Sequence, residues 1–234
     1  MVILEPHHRS FPPDPPADPD DPDTVAAHEW TAFAGVRQMS NHWDRPGWTD
    51  RTRAYYWLLE FATPALIAQA QRCQAALNPL PVDPIAPDGI HLTLGRVGLT
   101  EDVSAHQIAR LAAAARDHIP RRFTLQAVPM TASLGAIRYS VAPWSPVLEL
   151  HQHLSRAGER SGIPPLSPGA HFRPHIGIGY MHRCVPADQV RQAIEPLRQL
   201  PPVLAAVDRV HLVRMRRVPG AYQWDTIHTL ALES

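Results

Sequence analysis

The chain has 234 residues, 44% hydrophobic and 19% charged, with 22 basic and 22 acidic side chains. That balance excludes a disordered protein and bounds the chain to one large domain or two small, intimately packed ones. Every basic residue is arginine; without lysine the chain is closed to Schiff bases, the phosphate-loop lysine and the lysyl-adenylate of ATP-dependent nucleic-acid ligases. No run approaches the ~18 apolar residues of a membrane helix, and MVILEPHHRS lacks a basic region followed by a long apolar stretch, so a cytoplasmic protein with no membrane partner is expected.

Residues 1–24 carry six carboxylates against Arg9 alone, which leaves the remainder of the chain net basic by five. Pro6 to Thr24 holds seven prolines and five aspartates with little to bury, so residues 1–24 read as a disordered acidic tail. An acidic tail could also fold over a basic groove and compete with an anionic substrate. Residues 25–53 read as an extension that wraps the domain, and 54–234 as the domain itself.

From Ala54 the pattern becomes regular. AYYWLLEF (54–61) is a buried strand, and PALIAQAQRCQAAL (64–77) is a helix with a proline start and one apolar stripe. GIHLTLGRV (89–97) reads as a strand and SAHQIARLAAAARDHI (104–119) as a helix capped by Ser104. RFTLQAVPM and AIRYSVAPW follow as two strands, giving a βαβαββ order. The order then begins again with a helix over 146–162, a strand over 175–181 and a helix over 186–200 that Pro196 ends or kinks. Strands over 207–215 and 222–232 close the chain. Cys73 and Cys184 have no CxxC spacing and read as reduced packing residues.

An internal repeat organises this pattern. HLTLGRVG at 91 and HIGIGYMH at 175 lie 84 residues apart, each a histidine-headed strand followed by a helix and then a strand pair. A duplication of this kind sets one histidine per lobe across a shared groove. Strand alternation puts His91 with Thr93 and His175 with Gly177 on the groove side, and Leu92, Leu94, Ile176 and Ile178 toward the core. Two opposed imidazoles can take a proton from an attacking hydroxyl or water and give one to the departing oxygen of a phosphodiester. A threonine hydroxyl and guanidinium groups would hold the nonbridging oxygens, so the chemistry requires no metal and no cofactor.

H-L-T-L at 91–94 and P-H-I-G-I at 174–178 after Phe172 resemble the paired H-x-[S/T]-x motifs of the two-histidine (2H) phosphoesterase superfamily, in its bacterial 2′-5′ RNA ligase-like branch. NHWDRPGW (41–48) and DRVHLVRM with YQWD near the end are similar to the same subgroup, so the resemblance covers about residues 41–232. It implies an α/β (α+β) fold, bilobal and duplicated, with a central groove between two sheets. It also implies ATP-independent phosphodiesterase or ligase chemistry on 2′,3′-cyclic phosphate RNA ends or small cyclic nucleotides, by a monomer. His91, His175 and Thr93 are the catalytic candidates; Gly177, Tyr180, Arg173 and Trp43 are the substrate-binding candidates. A weakly active or inactive nucleotide-binding protein of the same fold is the rival reading.

Two positions depart from the motif. Gly177 stands where the pattern has serine or threonine, and Arg96 where the first motif carries an aromatic residue. Alternation turns Arg96 away from His91 and Thr93 unless a bulge intervenes, so it reads as a solvated strand end. His171 and His175 have metal-like spacing, but Pro174 breaks the helix that spacing would need. His151 and His153 point to different helix faces and are not nominated. Trp43 and Trp48 read as packing or as base-stacking rings. Arg214 and Arg216 share a strand face, as phosphate contacts or as a solvated edge.

Overall fold

The computed structural model describes residues 3–44 and 46–234. Its elements in chain order are α1 (Pro22–Ala34), β1 (Gln38–Met39), β2 (Arg53–Glu60), α2 (Pro64–Leu77), β3 (Val82–Pro84), β4 (His91–Leu99), α3 (Ala105–Arg116), β5 (Phe123–Ala132) and β6 (Ala136–Ala142). They continue with α4 (Ser145–Arg160), β7 (His175–Met181), β8 (Val185–Pro186), α5 (Ala187–Ile194), β9 (Val203–Val207), β10 (Arg209–Val218) and β11 (Ala221–Ala231). Proline opens α2, a reciprocal Ser104–Gln107 capping box opens α3, and α5 gives way to a 3-10 turn at Glu195–Gln199 where Pro196 removes a donor.

Two main sheets result, in the orders β11-β10-β2-β4 and β3-β7-β6-β5-β9, with β1-β8 as a small third. Each histidine-headed strand, β4 and β7, belongs to a different main sheet, as the duplication predicts. Membership otherwise crosses the repeat: β5 and β6 join β7, whereas the closing pair β10 and β11 joins β2 and β4. Helices α3 and α4 pack on the first sheet, and α2 packs on the second with α5 against it. A continuous apolar core, including Trp57, Leu92, Tyr139 and Ile176, runs through both.

Both histidine strands carry a bulge at the same place. In β4, Leu58 pairs with Thr93 but Trp57 pairs with Gly95, so Leu94 is the extra residue. In β7, Arg138 pairs with Gly177 but Ile137 pairs with Gly179, so Ile178 is extra. Directly opposed residues share a face. Glu60, Leu58 and Tyr56 oppose His91, Thr93 and Arg96, which puts those three on one face of the first sheet. Ser140, Arg138 and Ala136 oppose His175, Gly177 and Tyr180, which does the same in the second. Strict alternation fails for Arg96 because the bulge reverses the parity of the strand after Leu94.

The amino-terminal segment differs from the disordered tail expected over 1–24. Residues 5–13 lie as a strap on the body: the Glu5 amide donates to the Ala170 carbonyl, and Ser10 Oγ donates to the His171 carbonyl at 2.6 Å. Arg173 is its latch, donating to the carbonyls of Glu5, Pro12 and Pro13 as well as those of Ala170 and Phe172. Asp18, Asp20 and Asp21 accept from backbone amides. Asp21 caps α1 through the Thr24 amide, and Asp20 accepts from the Ser145 amide. Helix α1 begins at Pro22, across the 24/25 boundary read from composition. It packs on β5 and β6, on the face that also carries His175, because its buried Glu29 meets Arg138 and Ser140.

Candidate active site

Strands β4 and β7 approach one another from the two sheets, and between them lies a cleft of about 670 Å3. His91, Thr93, His175, Gly177, Tyr180 and Arg173 all line it. A second cavity of about 420 Å3 shares His91, Tyr180 and Tyr222 with the cleft and continues toward Trp224.

The two histidines share one tether at Nδ1. His91 Nδ1 lies 2.7 Å from the Gly89 carbonyl oxygen and His175 Nδ1 lies 2.9 Å from that of Arg173. A carbonyl can only accept, so each Nδ1 carries its proton and donates, and in the neutral ring each Nε2 is the nitrogen that can take up a proton. The repeat therefore extends to the carbonyl two residues before each imidazole. Burial pushes the His91 pKa below its ordinary value; the Gly89 carbonyl and the Glu60 carboxylate oppose that shift. The Trp224 ring stands edge-on to His91 at 5.0 Å, and its Nε1 donates to Glu60 Oε1 at 2.8 Å.

Gly177 stands beside a buried cation. Its cross-strand partner Arg138 lines the cleft, donating through Nη2 to the Phe11 carbonyl at 3.0 Å and to Glu29 Oε1 at 3.3 Å. The buried Arg138 Nε has no partner among the described residues. Ser140 Oγ donates to the other Glu29 oxygen at 2.7 Å. Burial raises the Glu29 pKa against the attraction of Arg138 and lowers that of Arg138 against Glu29.

Two nominated residues serve elsewhere. Arg173 touches the cleft, but its guanidinium donates throughout to backbone carbonyls, so it is not free to fork onto a phosphate. Trp43 is absent from the cleft lining. It packs behind Tyr180 and Tyr222, with Nε1 donating to Asp83 at 2.7 Å and the Arg217 guanidinium over its ring. Of the two tryptophans considered, Trp48 reaches the cleft, edge-on to Tyr56.

Arg9, Tyr56, Arg138 and Tyr222 line the cleft although sequence reasoning passed over them. Tyr56 was recoverable from alternation in β2, whereas Arg9 sits in a segment whose composition carries no sign of docking. His171 stacks on His7 at 3.9 Å with Glu5 near its Nε2. Arg214 and Arg216 lie on β10, an interior strand of the first sheet, and pair with Asp225; Arg216 also lines the second cavity. Cys184 is exposed and Cys73 buried, both free.

The model of the 2′-5′ RNA ligase superfamily matches residues 62–219, which includes both histidine strands and both bulges. The chain belongs to that superfamily. No curated protein sequence matches it. Among solved structures it is similar to Escherichia coli LigT in apo form, with 20% identity, a TM-score of 0.58, and coverage of 78% of this chain and 99% of LigT. It is similar also to TT0787 of Thermus thermophilus, with 17% identity, a TM-score of 0.57, and coverage of 76% and 97%. A structure described as a phosphoesterase gives 21% identity, a TM-score of 0.57, and coverage of 79% and 100%. These likenesses confirm the bilobal fold of the 2′-5′ RNA ligase superfamily. The strap, at residues 5–13, lies outside the span matched by the superfamily's model.

Proposed function

We propose that this protein is a phosphodiesterase that opens 2′,3′-cyclic phosphates at RNA ends or on small nucleotides, with His91 and His175 as its acid–base pair. The observation that carries the reading is the duplicated imidazole geometry, with both Nδ1 atoms tied to carbonyls and both rings lining one cleft. LigT has been crystallised with 3′-AMP, with phosphate and with ATP, which supports a cleft of nucleotide size.

In the forward direction water attacks phosphorus, one imidazole accepts its proton at Nε2, and the bond to the 2′ or 3′ oxygen breaks as the other imidazolium protonates that oxygen. One water is consumed and a phosphomonoester results. His91 is assigned as base because burial lowers its pKa and so favours its neutral form, and His175 is assigned as acid. Thr93 holds a nonbridging oxygen. The reverse of these steps closes the ring again, the 2′ or 3′ hydroxyl displacing water from the monoester; in dilute water hydrolysis dominates. Nothing in this sequence of proton transfers requires a metal or a cofactor.

The test is turnover of the four nucleoside 2′,3′-cyclic monophosphates with EDTA present. Wild type is expected to give a monoester, and His91→Ala and His175→Ala to lose at least about 100-fold in rate, the lower end for acid–base groups. Chelator-sensitive turnover, or turnover that survives both substitutions, overturns the mechanism. Saturable nucleotide binding without turnover supports the second reading, a binding protein, which the missing hydroxyl at Gly177 favours.

A further inference from the structure

The cleft holds more positive charge than one phosphodiester uses. Four arginines line it, Arg9, Arg96, Arg138 and Arg173, and among the described residues no Asp or Glu does. Arg138 is paired with Glu29, and the donors of Arg173 are satisfied by carbonyls. Arg9 and Arg96 are exposed, and their guanidinium groups make no hydrogen bond or ion pair among the described residues. An unpaired guanidinium facing a cleft is an anion-binding group awaiting its anion.

Both arginines are brought there by built features. The β4 bulge turns Arg96 onto the face of His91 and Thr93, opposite Tyr56. It lies five residues beyond His91, about 13 Å along the strand once the bulge is counted, so its guanidinium is set beside the phosphate between the imidazoles and not on it. Arg9 is carried by the strap, which the Arg173 latch and the Phe11 carbonyl on Arg138 hold against the second sheet. His7 near it is held below its ordinary pKa by desolvation and then by His171, His8, Arg9 and Arg173, which marks this end of the cleft as cationic. The facing carboxylate of Glu5 lies 3.9 Å from His171 and does not line the cleft. Tyr56, Trp48 and Tyr222 supply aromatic faces in the same cleft, of the kind on which a base stacks.

We propose that the amino-terminal strap completes a second anion site in which Arg9 and Arg96 bind a further phosphate of the substrate, selecting an oligonucleotide end or a nucleoside bisphosphate over a nucleoside monophosphate. The inference rests on the cleft being the phosphodiester site, and it is tested by binding so that it stands or falls separately from turnover.

The probes are adenosine 3′-phosphate, adenosine 3′,5′-bisphosphate and the dinucleotide 3′-phosphate ApAp, titrated against the full chain by calorimetry at two salt concentrations. Wild type is expected to bind at least one two-phosphate ligand about ten-fold or more tighter than adenosine 3′-phosphate, with a steeper salt dependence. Arg9→Ala and Arg96→Ala are each expected to bring that ratio toward one while melting with wild type. Equal affinity for all three ligands, or a ratio unchanged in both variants, overturns the proposal. If only Arg96→Ala lowers the ratio, the strap's part is overturned. Cyclic phosphate turnover, measured separately, reports on the proposed catalysis alone.

Discussion

At the residue scale, the two histidines differ in surroundings although their tethers match. His91 is 8% exposed and His175 is half-buried. Burial depresses His91, so the limb of the pH–rate profile that requires its neutral form has its midpoint below the ordinary histidine value of 6.5. Activity rises with pH through that limb. Glu60 opposes the depression, so Glu60→Gln moves the limb to lower pH, and a profile of kcat/KM in both proteins checks it. An unchanged limb assigns the titration to another group. Gly177 invites the opposite kind of change. A Cβ there meets Ile85 Cδ1 at 3.3 Å, the end of a flexible side chain that must give by a few tenths of an ångström, so Gly177→Ser is accommodated at a cost of about 1–3 kcal/mol. A hydroxyl that bonds the phosphate contributes about 1.5–3 kcal/mol, one to two decades in kcat/KM. No gain from serine means that Arg138 or the backbone already does that work.

Elements follow local rules where local rules decide. The helix over 64–77 and the strand over 175–181 are read from sequence at the bounds observed, because a proline start and an apolar stripe, or a β-branched alternation, are local signals. Helix α1 escapes that reading: its buried face includes Glu29, so its apolar periodicity is broken by a carboxylate that only Arg138 and Ser140, more than 100 residues away, make tolerable. The same long-range dependence hides the strap. Composition argues correctly that residues 5–13 bury little, but Arg173 satisfies their carbonyls from 160 or more residues away. Removing that latch by Arg173→Met leaves buried carbonyls without a donor, each a cost of about 1–3 kcal/mol. The variant is expected to fold with its strap released. Trypsin then cuts after Arg9, the sole tryptic site before Arg37, several-fold faster than in wild type. Equal rates of release of residues 10–234, followed by mass spectrometry, would show that the strap is held by other contacts.

For the whole molecule, buried histidines couple fold and pH. His91, His151 and His211 are all depressed, each by burial first, so the unfolded chain binds more protons than the folded one in that range. Stability therefore falls as pH drops below the unfolded value near 6.5. Glu29 acts with the other sign, since its raised pKa favours the folded state as it protonates. His151 is the clearest case, pushed down to about 4, with its Nδ1 unpartnered among the described residues and its ring stacked on Phe172 between the α4 helix and the cleft wall. Between pH 6.5 and 4 that one ring removes about 3 kcal/mol, at about 1.36 kcal/mol for each pH unit between the two values. Leucine, of similar size and without a proton to gain, abolishes this contribution. Urea unfolding of wild type and His151→Leu from pH 7.5 to 4 is expected to give curves that diverge as pH falls, the variant losing less. Parallel curves would place the acid sensitivity on His91 and His211, and so on the strands of the first sheet instead of the α4 helix packed against it.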